Sequence, residues 1–142
     1  MRTSARNQWA GKVVSVHLGA VTAEVQVALD GGTEVVATMT LDSAQRLGLQ
    51  SGRDVQVWVK ASMVVLALDF DGYLISARNQ CLGQVVEIRS GLVTTEVTLQ
   101  LSQGDTVTSV MTRESAETLG LVVGQSAMAL FTTGAVMVAT RR

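Results

Sequence analysis

Ser4, Ala5, Arg6, Asn7 and Gln8 stand together near the start of the chain, and the same five residues return at Ser76, Ala77, Arg78, Asn79 and Gln80. The run supplies a hydroxyl, a guanidinium, a side-chain amide and backbone N–H groups, all of them donors. Thr40 and Thr112 add hydroxyls at the end of an apolar-patterned stretch. Ser43 and Ser115 follow at a helix start, where backbone N–H groups are free. Lys60 ends another such stretch with a positive charge. A donor set with a helix N-terminus and no carboxylate suits an anion. It suits best a fully deprotonated oxyanion, because phosphate near neutral pH keeps a proton on part of its population and can use an acceptor. Ser-Ala-Arg-Asn can equally be a turn that leads into each half of the chain. Residue types alone leave both readings open.

Other chemistries lack their parts. His17 is the sole histidine and Cys81 the sole cysteine, so a Ser-His-Asp set, a Cys-His pair or a zinc site has too few members. Cys81 aligns with Trp9 between the two halves and reads as a space-filling residue. Glu24 and Glu96 recur, but they alternate outward on strands. Asp42 and Glu114 open helices, where a carboxylate favours the macrodipole. All four read as structural, no catalytic set emerges, and the expectation is a protein that is not an enzyme. The net charge is -1 and aromatic residues make up 4% of the chain, which argues against a general nucleic-acid binder. One cysteine allows no intrachain disulfide and fits a reducing cytoplasm. Met1-Arg2-Thr3-Ser4 has no apolar leader, and no apolar run reaches membrane-spanning length.

The elements that must position these donors are written twice. Gly11 matches Gly83, Val13-Val14 matches Val85-Val86, and Leu47-Gly48-Leu49 matches Leu119-Gly120-Leu121, all at one constant offset. About four in ten positions agree, so the 142 residues divide into two modules, 1–70 and 73–142. The join, Asp69 to Tyr73, contains Asp-Gly and reads as a turn. In the first module Trp9 to Leu18, Thr22 to Asp30, Glu34 to Thr40, Asp54 to Lys60 and Met63 to Leu68 read as strands, the last apolar throughout and buried on both faces. Leu41 to Leu47 reads as one short helix stopped by Gly48. In the second module the counterparts are Gln84 to Arg89, Thr94 to Leu101, Thr106 to Thr112, Ala127 to Phe131 and Ala135 to Ala139, with a helix around Glu114 to Leu119. The fold class is all-β: two tandem OB-fold-like five-stranded barrels, each with one short helix between strands 3 and 4. The chain has no proline, so its edge strands lack one common guard against pairing, which points to edges used in assembly.

Ser-Ala-Arg-Asn-Gln-x-x-Gly, then Gly-Ala-Val-Thr-Ala-Glu-Val, then Thr-x-x-Ser-Ala-x-x-Leu-Gly-Leu, then Val-x-Val-x-Val-Lys-Ala-Ser together resemble the Mop family, the molbindins, over essentially the whole chain, twice. The resemblance implies modules that exchange strands, a homotrimer of tandem chains, and a cytoplasmic protein. It also implies tetrahedral oxyanion sites at subunit interfaces, for molybdate and often tungstate, with no organic cofactor and no bare metal cation. By that resemblance Ser4, Ala5 (through its backbone) and Arg6 contact the oxyanion, with Thr40, Ser43, Lys60 and Ala61 contributed across an interface. The second set is Ser76, Ala77, Arg78, Thr112, Ser115 and Thr132, the last standing where Lys60 stands in the first module. A second class of site would use the backbone of Val21-Thr22-Ala23 and Val93-Thr94-Thr95, where the family commonly has Asn in place of Thr22 and Thr94. The implied function is molybdate storage or buffering. Two other readings stand beside it: a single-stranded nucleic-acid-binding OB protein, and a molybdate sensor acting through a partner protein.

Overall fold

The computed structural model describes all residues from 1 to 142. The first half forms β1 (Asn7–Leu18), β2 (Thr22–Leu29), β3 (Glu34–Thr40), α1 (Leu41–Arg46), β4 (Asp54–Val59) and β5 (Val65–Ala67). The second forms β6 (Asn79–Ser90), β7 (Thr94–Leu101), β8 (Thr106–Thr112), α2 (Arg113–Leu119), β9 (Ser126–Phe131) and β10 (Met137–Ala139). Alternation of apolar and polar residues sets the strands. In β2, Ala23, Val25, Val27 and Leu29 are buried and the residues between them are not. Each helix is capped by the threonine before it, Thr40 or Thr112, whose hydroxyl accepts from the backbone N–H of Ser43 or Ser115. The second helix ends at Gly120 in the left-handed region, φ 65°.

The two five-stranded sheets have the orders β10-β4-β1-β2-β3 and β5-β9-β6-β7-β8. The modules therefore exchange their fifth strands within one chain. Met137, Val138 and Ala139 pair with Trp58, Val57 and Gln56, and Val65, Leu66 and Ala67 pair with Leu130, Ala129 and Met128. One cluster of 21 buried residues runs through both halves, from Val13 to Val136. A module of some 70 residues buries little apolar surface alone, and the shared core offsets that.

Two local readings of the sequence need correction. The first and sixth strands begin earlier than expected, at Asn7 and Asn79, because these residues pair with Val59 and Phe131. Gly11 and Gly83 lie inside these strands. A Cβ on Gly11 would stand 2.6 Å from the Ala28 carbonyl oxygen, and on Gly83 2.5 Å from that of Gln100, so only glycine fits. The stretch Met63 to Leu68 is not a strand buried on both faces. Ala61–Met63 is a 3₁₀ turn, β5 is three residues long, and Val65 is 60% exposed, because β5 lies at the edge of the other module's sheet.

Candidate functional site

The Ser-Ala-Arg runs are held in place by the glutamine that follows them. Gln8 donates its side-chain N–H to the Ala5 carbonyl at 2.6 Å, and Gln80 does the same to Ala77 at 2.8 Å. Each run thus becomes a closed turn that presents an exposed serine and arginine. Asn7 and Asn79 do not join the donor set. Their side chains are buried and bond to the backbone of the other module, Asn7 to Thr108 and Asn79 to Val36.

Arg6 reaches across to Glu96 in β7. Its two terminal nitrogens donate to the two carboxylate oxygens at 2.6 and 2.7 Å. Arg78 makes the mirrored pair with Glu24 in β2, at 3.2 and 3.0 Å. A donor region free of carboxylate is therefore not what the chain builds. Each glutamate alternates outward on its strand as expected, but onto an arginine of the other module. Hydrogen bonding to the guanidinium, with its charge as a further cause, holds the Glu96 and Glu24 carboxyls below the usual carboxylate range and raises both arginines. The signal in the sequence was that arginine and glutamate recur together at the same offset.

The hydroxyls lie at the far end of the same hairpins. Glu96 stands opposite Val110 in the β7–β8 ladder, and Thr112 is two residues further on, about 7 Å along the strand. Thr112 donates its hydroxyl proton to Ser115 at 2.8 Å, and Thr40 donates to Ser43 at 2.9 Å. The proton left free in each pair is the serine's. Lys60 follows Val59, the partner of Asn7, so Lys60 and Arg6 end adjacent strands. Lys60 is exposed and makes no ion pair. Within one chain, then, Arg6 bonds to the hairpin that ends at Thr112 and the turn after Lys60 packs on β8, while Arg78 bonds to the hairpin that ends at Thr40 and the turn after Thr132 packs on β3. No hydrogen bond joins Arg6 to Thr40 or Ser43. Ala61 is buried and offers at most its backbone. Thr132 is exposed, and its neighbour Thr133 bonds to Thr38 at 2.9 Å.

The segments around Val21 and Val93 are strand ends with exposed side chains. The Val21 carbonyl accepts from Leu41 N–H at 2.9 Å and the Val93 carbonyl from Arg113 N–H at 3.0 Å. Thr22 and Thr94 are exposed, Ala23 and Thr95 buried, and the Thr95 hydroxyl has no partner. A groove of about 1120 Å³ lies elsewhere, along Gln8, Trp58, Arg53 and Arg141, and holds none of the expected oxyanion contacts. No three His, Cys, Asp or Glu side chains cluster as a metal site, and no helix is long and apolar enough to cross a membrane.

Two OB-like sheets that exchange strands, each carrying an arginine turn and a capped-helix hydroxyl pair, define a tandem-module protein with a repeated polar surface. Residues 3–66 and 75–138 each match the TOBE domain, and the chain belongs to that family, in its tandem, Mop-like form. It is 42% identical to the cytoplasmic molybdate-binding protein ModG, solved with molybdate bound, and superposes with a TM-score of 0.94 over 99% of this chain and 100% of that one. It is 44% identical over its full length to the molybdenum transport protein ModE of Herbaspirillum seropedicae, covering 53% of that protein. It is 43% identical over 98% of its length to the molybdenum-pterin-binding protein MopA of Rhodobacter capsulatus, covering 52% of it. The chain thus spans about half the length of these curated relatives.

Proposed function

We propose that this chain binds molybdate, and tungstate with it, as a reversible oxyanion store or buffer in the cytoplasm. Residues 1–70 and 73–142 act as the two binding modules. The observation that carries the reading is the likeness to ModG, a molybdate-binding protein, across the whole of both chains. The chemistry agrees with it. Ser4, the Ala5 backbone, Arg6 and Lys60 offer donors beside the Thr112–Ser115 pair, and Ser76, the Ala77 backbone, Arg78 and Thr132 beside the Thr40–Ser43 pair. These surfaces are open on one chain. We assign their completion to neighbouring copies in a homotrimer, an assembly supported by the apolar side chains left exposed at the strand ends, Val21 at 75%, Leu92 at 92% and Val93 at 76%. The backbone around Thr22 and Thr94, on those same strand ends, would form the second class of site. Isothermal titration with molybdate tests the reading. Heat of binding is expected, with a solution mass three times the chain's 15.0 kDa. No heat at millimolar molybdate would overturn it.

A second reading is favoured by the ModE relatives, one of which is described as a DNA-binding transcriptional dual regulator in Escherichia coli. There the chain covers 53% of the relative, which fits a ligand-sensing part of a larger system. A pull-down that captures a partner only with molybdate present would favour sensing over storage.

A further inference from the structure

We propose that Glu96 and Glu24 set the affinity of the two oxyanion surfaces by occupying the guanidinium faces that the anion must take. The inference rests on the proposed role of Arg6 and Arg78. Both oxygens of Glu96 are bonded to both terminal nitrogens of Arg6, which fills one full edge of the guanidinium fork. An oxyanion that docks bidentately on that edge and the carboxylate cannot both have it. One that docks beside it meets a pair whose charges already cancel. The same holds for Arg78 and Glu24.

Each carboxylate has somewhere to go when the guanidinium is taken. In the β6–β7 ladder Glu96 stands opposite Arg89, whose side chain reaches Glu87 at 3.5 Å. In the β1–β2 ladder Glu24 stands opposite His17. The released Glu96 therefore faces the Arg89 guanidinium, and the released Glu24 the His17 imidazole. The pairs also join the modules, since Arg6 and Glu96 belong to different halves of the chain. Anion binding thus exchanges an inter-module contact for a ligand contact. A ligand that takes the guanidinium edge must first displace the carboxylate, so the glutamates act as a threshold that weak anions do not cross.

Glu24→Gln with Glu96→Gln keeps side-chain size and one acceptor oxygen and removes the competing charge. Both ion pairs are partly exposed, so the doubly substituted protein is expected to fold. Titration with molybdate should show binding about three- to fivefold tighter than in the unsubstituted protein. In the unsubstituted protein, carbon NMR of the two carboxylates should show both signals moving on saturation with molybdate, which a purely structural pair would not do. If the double variant unfolds, either single substitution tests one surface with the other pair intact. Binding that is unchanged or weaker on substitution, or carboxylate signals that stay put, overturns the proposal while the molybdate reading stands. Absence of binding in both proteins overturns the two together.

Discussion

Asn79 and Val36 bond to each other twice: the Val36 N–H donates to Asn79 Oδ1 at 2.8 Å, and Asn79 Nδ2 donates to the Val36 carbonyl at 2.9 Å. A side-chain amide here takes the place of a neighbouring strand's peptide group on the open edge of β3. Asn7 does the same for Thr108 on β8, at 2.7 and 2.8 Å. Alanine at either position leaves a part-buried N–H and C=O unpaired, at about 1–3 kcal/mol for each group. Asn79→Ala and Asn7→Ala should each lower the melting temperature by several degrees, at about 2–4 °C per kcal/mol for a chain of this size. A melting curve that does not move would remove the edge-clip interpretation.

The Arg6–Glu96 and Arg78–Glu24 pairs give stability a pH dependence of known sign. Both glutamates are held below their ordinary range in the fold. Their contribution is present above the unfolded-chain value, about 4.3, and is lost as pH falls through the lower folded value. Melting temperature should fall as pH is lowered below about 4.3. In the protein with both glutamates replaced by glutamine the drop should be shallower. Equal slopes for the two proteins would assign the acid sensitivity to other carboxylates.

Cys81 is buried, and burial, with the charge of Asp105 second, pushes its thiol up to about 11. The thiolate is the reactive form. At pH 8 a disulfide reagent should modify the native protein slowly and the denatured protein at once. Rapid stoichiometric labelling of the native fold would contradict this burial.

Lys60 aligns with Thr132, so the two donor sets differ in charge. Arg6, Lys60 and Glu96 sum to one positive charge; Arg78, Glu24 and Thr132 sum to none. A hydrogen bond to a charged group is worth about 1.5–3 kcal/mol against about 0.5–1.5 for a neutral one. Two classes of site are expected, the one holding Lys60 about tenfold tighter. Lys60→Thr should merge them and Thr132→Lys should tighten the weaker. A single uniform class that Lys60→Thr leaves unchanged would take Lys60 out of the site.

Sulfate and molybdate carry the same charge, so only size separates them. The Gln8 and Gln80 bonds to Ala5 and Ala77 fix the arginine turns at strand ends, where they cannot close onto a smaller tetrahedron. Molybdate should outcompete sulfate strongly. Equal affinity in competition calorimetry would show a pliable pocket.

The repeat, the strand pattern and the capped helices were legible because each depends on residues close in sequence. Val25, Val27 and Leu29 declare their buried face by period alone. The exchange of β5 and β10 was not readable from local pattern, since two near-copies present matching edges and nothing local says which one a strand will join; the family likeness supplied that expectation. The asparagines looked like ligand donors because their backbone partners lie far along the chain, 43 residues away for Asn79 and 101 for Asn7. Glu24 and Glu96 looked solvent-facing for the same reason: alternation gives the side of a sheet, and not what the other module places there.

The exchanged strands also impose an order on synthesis. The ribosome makes β5 before any of the sheet it will border, and makes β10 only after the rest of both sheets. The half translated first is thus the half finished last, with the edge of β4 open until the final strand emerges. Removing residues 137–142 should therefore injure the first module's sheet directly and leave the second module with all five of its strands.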